Sequence, residues 1–299
     1  MRNQNGDLVW VIEDTRFDEC HSPQDVAAEV KRQGMTAHVI KYAPMGGWDD
    51  QDFPAYPMQQ PLIFIGSLQL GRLVHRKAEH SPGIYCNPER YACTSYYPTF
   101  GKWLLNDTYA MIPYAEAARC QSWLFKVFSA GEGDPCVFVR PNSGMKTLAT
   151  GSLVQNSTFQ RDLARLARYK KPEHLSSELL VFSSPKMIAA EYRFIMADRE
   201  VVACSRYKPT VDPEVPDAAV LKAIEIAHEV KEIPERMWVL DIAQIDHEIP
   251  GRTLSSYSVV EINSFSCAGW YACDLPSIVR EASRVALQQN AESVYFYPE

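Results

Sequence analysis

The sequence lacks several features that would assign it to common classes of protein. Its 299 residues contain no apolar run of the length that a membrane-spanning helix needs. The start, Met1 to Asp7, is polar and lacks the apolar centre of a signal peptide. Eight cysteines occur without a C-x-x-C pair and without a Cys/His cluster at zinc spacing. We therefore expect a cytoplasmic protein with reduced thiols and no membrane partner.

An excess of basic residues is also absent. The chain has 30 lysines and arginines against 37 acidic residues, a net charge of -7. General nucleic-acid binders normally present a basic face, so this balance argues against nucleic acid as the partner. It leaves room for a local basic site that binds a nucleotide. The seven histidines are dispersed and form no H-x-x-x-H pair.

The first third of the chain alternates between strand and helix patterns. Ser22 is a predicted N-cap, and Gly34 is a predicted helix stop. Parallel pairing follows from a strand–helix–strand order. The elements are a strand at 8–12, a helix at 23–33, a strand at 37–42 and a strand at 61–66. These patterns predict a small α/β lobe over residues 1–95.

The rest of the chain is richer in strand patterns. Residues 96–108 mix aromatic residues, proline and glycine and are predicted to be a connector. Residues 246–256 are polar and are predicted to be a hairpin loop. The predicted strands are 135–141, 178–182, 189–196, 200–204, 238–243 and the stretch at 259–266.

The most informative stretch is Val259 to Ser266, which predicts a buried strand carrying an acid and an amide. Glu261 and Asn263 are two residues apart and share one face, while Val260 and Ile262 point the other way into apolar packing. Asp241 lies on the preceding strand, and we expect the three polar side chains to converge. Hard oxygen ligands of this kind suit Mg²⁺. The alternative is a strand end that faces water.

Cationic residues precede this stretch. Arg140 ends an apolar strand, and Lys146 follows it after Gly144, which predicts a clamp on polyphosphate. The alternative is two surface cations beside a turn. Arg193 shares a strand face with Glu191. These two charges either pair with neighbouring strands as a structural ion pair, or Arg193 faces the cleft and contacts phosphate. A buried pair between Arg193 and Glu191 would exclude that catalytic role.

These motifs in this order resemble the ATP-grasp superfamily, in the branch marked by two arginines and a lysine. The motifs are Val-Phe-Val-Arg-Pro-x-Ser-Gly-x-Lys ending at Lys146, Glu-Tyr-Arg193, Leu-Asp241 and Val-Val-Glu-Ile-Asn-Ser-Phe-Ser ending at Ser266. The resemblance covers about residues 95–299. It implies an α/β (α+β) fold. Residues 96–299 would form an ATP-grasp domain of two subdomains with the nucleotide between them. This domain would follow an N-terminal α/β pre-ATP-grasp lobe. Arg140 departs from most of the superfamily, where a lysine often binds the α-phosphate.

The resemblance also implies roles for the residues and names ATP and Mg²⁺ as cofactors. A hinge at Leu180 to Ser183 would read the amino group of adenine through backbone atoms, those of Val181 or Ser183. The remaining roles are metal ligands at Asp241, Glu261 and Asn263, and catalytic, phosphate-binding cations at Arg140, Lys146 and Arg193.

The implied reaction is ATP-dependent, ADP-forming ligation of a carboxylate to an amine through an acyl phosphate. The substrates would be small molecules or peptides. A phosphotransferase, or a catalytically silent nucleotide- or partner-binding module, remains an alternative. The candidates for the acceptor pocket, or for ordinary packing, are Arg206, Tyr207, Trp270 and Tyr271. Cys267 lacks an accompanying histidine, which favours a buried structural thiol. The sequence indicates no oligomeric state.

Overall fold

A computed structural model describes residues 8–14, 20–41, 61–77, 82–130, 133–146, 151–167 and 175–296. The chain divides into two compact units. Unit 1 combines Met1–Asn87 with Ala189–Glu299, and unit 2 is Pro88–Ile188. Unit 1 joins both ends of the chain because strands of both ends share one apolar core. The division into domains at residues 1–95 and 96–299 stays a prediction.

The N-terminal part of unit 1 is a parallel sheet, which confirms the predicted strand–helix–strand arrangement. The strand order is β2-β1-β3, with β1 (Val9–Glu13), β2 (Thr36–Ile40) and β3 (Leu62–Ile65). Helix α1 (Pro23–Arg32) connects β1 to β2, and its N-cap Ser22 forms a capping box with Asp25. Helix α2 (Leu68–Lys77) follows β3.

The C-terminal part of unit 1 is an antiparallel sheet in the order β11-β10-β8-β9. Two helices accompany it, α7 (Asp217–Glu229) and α8 (Leu275–Phe296). The side chain of Asp274 accepts a hydrogen bond from the backbone of Ser277 and so caps α8. The strands are β8 (Ala190–Ala197), β9 (Glu200–Lys208), β10 (Met237–Ile249) and β11 (Arg252–Ser264).

Both sheets of unit 1 contribute to one apolar core. Trp10 of β1, Ile195 of β8, Val239 of β10 and Ile278 of α8 are all fully buried within it. The indole N–H of Trp10 donates a hydrogen bond of 3.1 Å to Ser283 of α8. Burial of this continuous apolar surface fixes the β8–β11 sheet to the N-terminal sheet.

The predicted polar loop at 246–256 is wrong, because β10 and β11 continue through it as a paired hairpin. Only Pro250 and Gly251 separate the two strands, and Gly251 has φ +83°, which suits a tight turn. The polarity of this stretch reflects exposure of the hairpin on both faces.

Unit 2 is a second antiparallel sheet, in the order β4-β7-β5-β6, packed on helices. Its core includes Val139, Phe159 and Phe182. The predicted connector at 96–108 is wrong in part, because Cys93–Phe100 forms helix α3 despite Pro98. Buried Tyr96, Tyr97 and Phe100 pack edge to face and outweigh the proline. The other elements are β4 (Tyr109–Pro113), α4 (Tyr114–Ala117), α5 (Gln121–Phe128), β5 (Cys136–Pro141), β6 (Ser152–Gln155), α6 (Phe159–Leu166) and β7 (Leu179–Ser183).

Within the described ranges, no helix has both the length and the apolarity to cross a membrane.

Candidate active site

Three strands of unit 1 place charged side chains in one row across the sheet. Arg193 of β8 lies directly opposite Asp241 of β10, and Asp241 lies directly opposite Glu261 of β11. Residues opposite each other in antiparallel strands project from the same face. Asn263 projects from that face too, because it is two residues beyond Glu261. The row therefore collects a cation, two acids and an amide.

A β-bulge follows this row and corrects the predicted burial pattern. The pairing moves from Asp241 with Glu261 to Ile242 with Val259, which leaves Val260 as the extra residue. Val259 and Ile262 are buried, whereas Val260 is only half-buried, so Val259 takes the core position that we predicted for Val260. Bulges re-aim side chains and are frequent beside functional sites.

Asp241 and Asn263 connect the members of the row through hydrogen bonds. The Asn263 amide nitrogen lies 2.9 Å from Asp241 Oδ2 and 3.1 Å from Glu261 Oε1. The structure thus brings the three predicted metal ligands together, as the sequence led us to expect. Their role as ligands stays a prediction.

Arg193 is engaged by protein oxygens on every nitrogen of its guanidinium. Its Nε donates to Asp241 Oδ1 at 2.8 Å, and Nη2 donates to Asp241 Oδ2 at 2.6 Å. Its Nη1 donates to the Gly269 carbonyl at 2.7 Å. The side chain of Arg193 is 6% exposed and that of Asp241 is fully buried. A bidentate, buried ion pair of this geometry fixes the orientation of both side chains.

Two tyrosine rings lie against this ion pair. Tyr207 and Tyr271 stack at 5.0 Å between ring centroids and 8° between planes. The Arg193 guanidinium carbon lies 5.3 Å from the centroid of Tyr207 and 4.9 Å from that of Tyr271, within cation–π range. Tyr271 has φ +49°, a left-handed conformation that costs a non-glycine residue about 1–2 kcal/mol. Strained backbone of this kind clusters at functional sites.

Arg193 and Glu191 do not pair with each other. Each forms its ion pair with a residue of a neighbouring strand, as the structural alternative predicted. Glu191 accepts hydrogen bonds from the hydroxyl of Tyr207 and, at 2.8 Å, from Lys208 Nζ. Strand register explains these two pairings. Glu191 lies opposite Lys208 on β9, and Arg193 lies opposite Asp241 on β10.

The electrostatic environment keeps Arg193 charged. Burial by itself would lower the pKa of Arg193, but the charge and hydrogen bonds of Asp241 outweigh burial and raise this pKa above its ordinary value. Burial, followed by the nearby charges of Asp241 and Glu191, raises the pKa of Tyr207 well above its ordinary value. Tyr207 therefore remains a neutral hydroxyl that donates to Glu191.

The donor set of the row fits Mg²⁺. Two carboxylates and an amide supply the hard oxygens that this ion prefers. The Asn263 amide presents its N–H₂ group to both acids, and rotating the amide by half a turn would present its oxygen instead. An amide oxygen between two carboxylates is favourable only with a cation present. Because Arg193 already offsets the charge of Asp241, the row carries about one net negative charge, which favours Mg²⁺ delivered together with phosphates over the free ion. Among the residues that the structure describes, no group of three His, Cys, Asp or Glu side chains forms a separate metal site.

The other predicted cations lie in unit 2. Arg140 is half-buried on β5, and its Nη1 donates to the Tyr96 hydroxyl at 3.4 Å. Lys146 ends the following turn at φ +48°, with its backbone N–H bonded to the carbonyl of Ser143 at 3.1 Å. A side chain on Gly144 would meet the Pro88 carbonyl at 2.6 Å, so this turn requires glycine. Contact of these cations with phosphate stays a prediction.

The predicted adenine hinge is strand β7 of unit 2. Val181 lies opposite Arg140 on β5, and Ser183 lies opposite Phe138. Val181 and Ser183 are fully buried. Within the described part of the chain, the Ser183 hydroxyl has no hydrogen-bond partner. A buried hydroxyl without a partner is costly, which fits a site whose partner comes from a ligand.

Sequence reasoning missed how firmly Arg193 is held. The Asp241 pairing depends on strand register, and the Gly269 contact depends on the loop after β11. Tyr207 and Tyr271 were recognised only as possible pocket residues. Tyr207 lies on β9 and Tyr271 lies in the loop after β11, and no pattern in the sequence indicates that their rings stack.

Comparison with protein families identifies the class. Residues 120–280 match the ATP-grasp domain of R2K clade family 2. The match spans more than half of the chain, and the protein therefore belongs to this family of ATP-grasp proteins. A comparison with curated protein sequences finds no match.

Solved structures share the fold across nearly the whole chain. The ATP-grasp ligase PsnB in complex with the precursor peptide PsnA2 and AMPPNP is 14% identical, with a TM-score of 0.53, and the alignment covers 97% of this chain and 99% of PsnB. PsnB with a minimal precursor, Mg and ADP gives a TM-score of 0.51 at 14% identity, with 95% and 98% covered. An ATP-grasp RimK domain protein from Sphaerobacter thermophilus DSM 20745 gives 0.51 at 10% identity, with 94% and 98% covered. At these identities the likeness shows the fold.

Proposed function

We propose that the protein is an ATP-dependent, ADP-forming ligase that joins a carboxylate to an amine through an acyl phosphate. The observation that carries the proposal is the convergence of Asp241, Glu261 and Asn263 on the β10–β11 pair. The side-chain nitrogen of Asn263 lies within 3.1 Å of a carboxylate oxygen of each acid. Two acids and an amide in this arrangement suit Mg²⁺ bridged to nucleotide phosphates. Membership of the ATP-grasp family supports ATP as the nucleotide.

The residues of unit 1 and unit 2 would have separate tasks. Asp241, Glu261 and Asn263 would hold Mg²⁺, which when bound neutralises phosphate charge and stabilises the transferring phosphoryl group. Arg140 and Lys146 would bind nucleotide phosphates, and β7 would bind adenine. The covalent intermediate would form on the substrate carboxylate, whose attack on the γ-phosphate releases ADP. An amine then displaces phosphate to give an amide.

Peptides are the substrate class that we favour. The solved relatives include a ligase bound to its precursor peptide, and the same fold covers this chain almost completely. The carboxylate would then be a side chain or a terminus of a peptide, and the amine would come from the same or a second molecule.

Trapping and product analysis test this reaction. The protein would be incubated with ATP, Mg²⁺, hydroxylamine and pools of acidic peptides or amino acids. We expect ADP and a hydroxamate, because hydroxylamine intercepts an acyl phosphate. AMP with pyrophosphate would indicate adenylation and contradict the proposal. ADP with a stable phosphorylated product and no hydroxamate would identify a phosphotransferase instead.

A further inference from the structure

We infer that Arg193 is a positioning residue for Asp241, held by the Tyr207–Tyr271 stack, and that it is not a phosphate ligand. This inference rests on the proposed function, because it assigns Asp241 to Mg²⁺. It revises the sequence-based role of Arg193, which placed it among the cations that contact the transferring phosphate.

The hydrogen bonds of Arg193 are the first argument. All three of its nitrogens donate to protein oxygens at 2.6–2.8 Å, two of them to Asp241 and one to Gly269. A cation that clamps phosphate must present its guanidinium edge to the ligand. Here the Nε–Nη2 edge, which would grip a phosphate bidentately, is already occupied by a carboxylate, and the side chain is 6% exposed.

The aromatic pair is the second argument. Tyr207 is anchored by its hydroxyl bond to Glu191, and it stacks on Tyr271. Both rings lie within 5.3 Å of the guanidinium carbon. Tyr271 reaches this place only with a left-handed backbone, two residues after the Gly269 carbonyl that accepts from Arg193. The loop after β11 thus keeps a strained conformation that brings both a carbonyl and a ring to one guanidinium.

The consequence is a carboxylate with a fixed direction. Arg193 holds both oxygens of Asp241, and Asn263 donates to one of them. Groups that bind a metal ligand in this way orient it, and their removal typically weakens metal affinity by about 10–100-fold. Loss of Arg193 should therefore act on the metal and leave metal-free nucleotide binding intact.

Binding of AMPPNP, measured by calorimetry with EDTA and at increasing Mg²⁺, separates the two roles. In Arg193→Lys, a single ammonium cannot replace the planar fork of arginine. We expect the affinity for AMPPNP in EDTA to be unchanged. The Mg²⁺ concentration that gives half of the maximal increase in AMPPNP affinity should rise by at least about tenfold. Tyr271→Leu removes the ring and should shift the Mg²⁺ dependence in the same direction. Tyr271→Phe keeps the ring and should retain the wild-type dependence.

The outcomes distinguish this inference from the proposed function. Equal weakening in EDTA and in Mg²⁺ for Arg193→Lys would make Arg193 a phosphate ligand and overturn the inference. If circular dichroism shows that Arg193→Lys does not fold, the two Tyr271 variants provide the test. The same Mg²⁺ dependence of AMPPNP binding in Tyr271→Leu and Tyr271→Phe would then overturn the inference. Wild-type protein that binds AMPPNP without any dependence on Mg²⁺ or on Glu261 would instead contradict the proposed function.

Discussion

The two halves of the β10–β11 hairpin have the same antiparallel pairing and opposite surroundings. Near Asp241 and Glu261, β10 pairs on its other side with β8, and its residues are almost all buried. Beyond Gln244 the pairing with β8 ends, and the residues from Arg252 to Ser256 are exposed. We call these the proximal half and the distal half.

Polar side chains bond across the strands in both halves, but with different consequences. In the distal half, Asp246 accepts from Ser255 at 2.7 Å, and His247 lies 2.9 Å from Ser256. Water can replace each of these partners. In the proximal half, Asp241 is fully buried and depends on Arg193 and Asn263. Hydrogen bonds of similar length are therefore dispensable where water reaches and indispensable where it does not.

The largest difference should appear in turnover. We expect Glu261→Gln to lower the rate of ADP formation by on the order of 100-fold or more, since changing even the partners of metal ligands costs up to about 100-fold. The matched distal change, Glu248→Gln, should leave the rate unchanged, because Glu248 is exposed and bonds only to Thr253 in the described residues. Initial rates in a coupled ADP assay measure both. Equal rates for the two variants would remove the functional distinction between the halves.

Stability should show the next largest difference. Arg193→Leu leaves Asp241 buried without its cation, and we expect a loss of about 3–5 kcal/mol in the free energy of unfolding. Arg252→Leu, at an exposed position of the distal half, should change it by less than about 0.5 kcal/mol. Urea unfolding followed by circular dichroism gives both values. A small effect of Arg193→Leu would show that Asp241 is accessible to water after all.

The smallest effect should come from Asp246→Asn in the distal half. Hydrogen bonds from Gln244 and then Ser255 lower the pKa of Asp246. A lowered pKa contributes stability above the pKa of the unfolded chain, and this contribution disappears as pH falls through the folded pKa. The variant should thus melt slightly below the wild type at neutral pH, and the two curves should merge in acid. A difference that grows in acid would contradict this assignment.

Local patterns in the sequence predicted much of the fold and most of the candidate site. The alternation in Val-Val-Glu-Ile-Asn-Ser identified the strand and placed Glu261 and Asn263 on one face. The same pattern could not reveal the bulge at Val260, because a bulge depends on the pairing with β10. The Arg193–Asp241 pair likewise depends on register between strands 48 residues apart.

The distal half was mispredicted for a related reason. Polar residues such as Asp246 and Ser255 favour loops when considered singly, yet they form a ladder when two strands already continue from a buried core. Helix α3 shows the converse case, since tertiary packing of Tyr97 and Phe100 overrides the local effect of Pro98. Tertiary context decided each of these departures, and a single sequence does not contain it.

Electron paramagnetic resonance of Mn²⁺ with AMPPNP tests the central claim, that the proximal half holds the metal of a metal–nucleotide complex. Mn²⁺ replaces Mg²⁺ at oxygen sites and reports its own coordination. We predict that the wild-type protein and Glu248→Gln both change the spectrum of Mn²⁺–AMPPNP. Neither protein should change the spectrum of Mn²⁺ alone at the same concentration. Glu261→Gln should change neither of these two spectra. The same spectral change with Glu261→Gln as with the wild type would contradict the account.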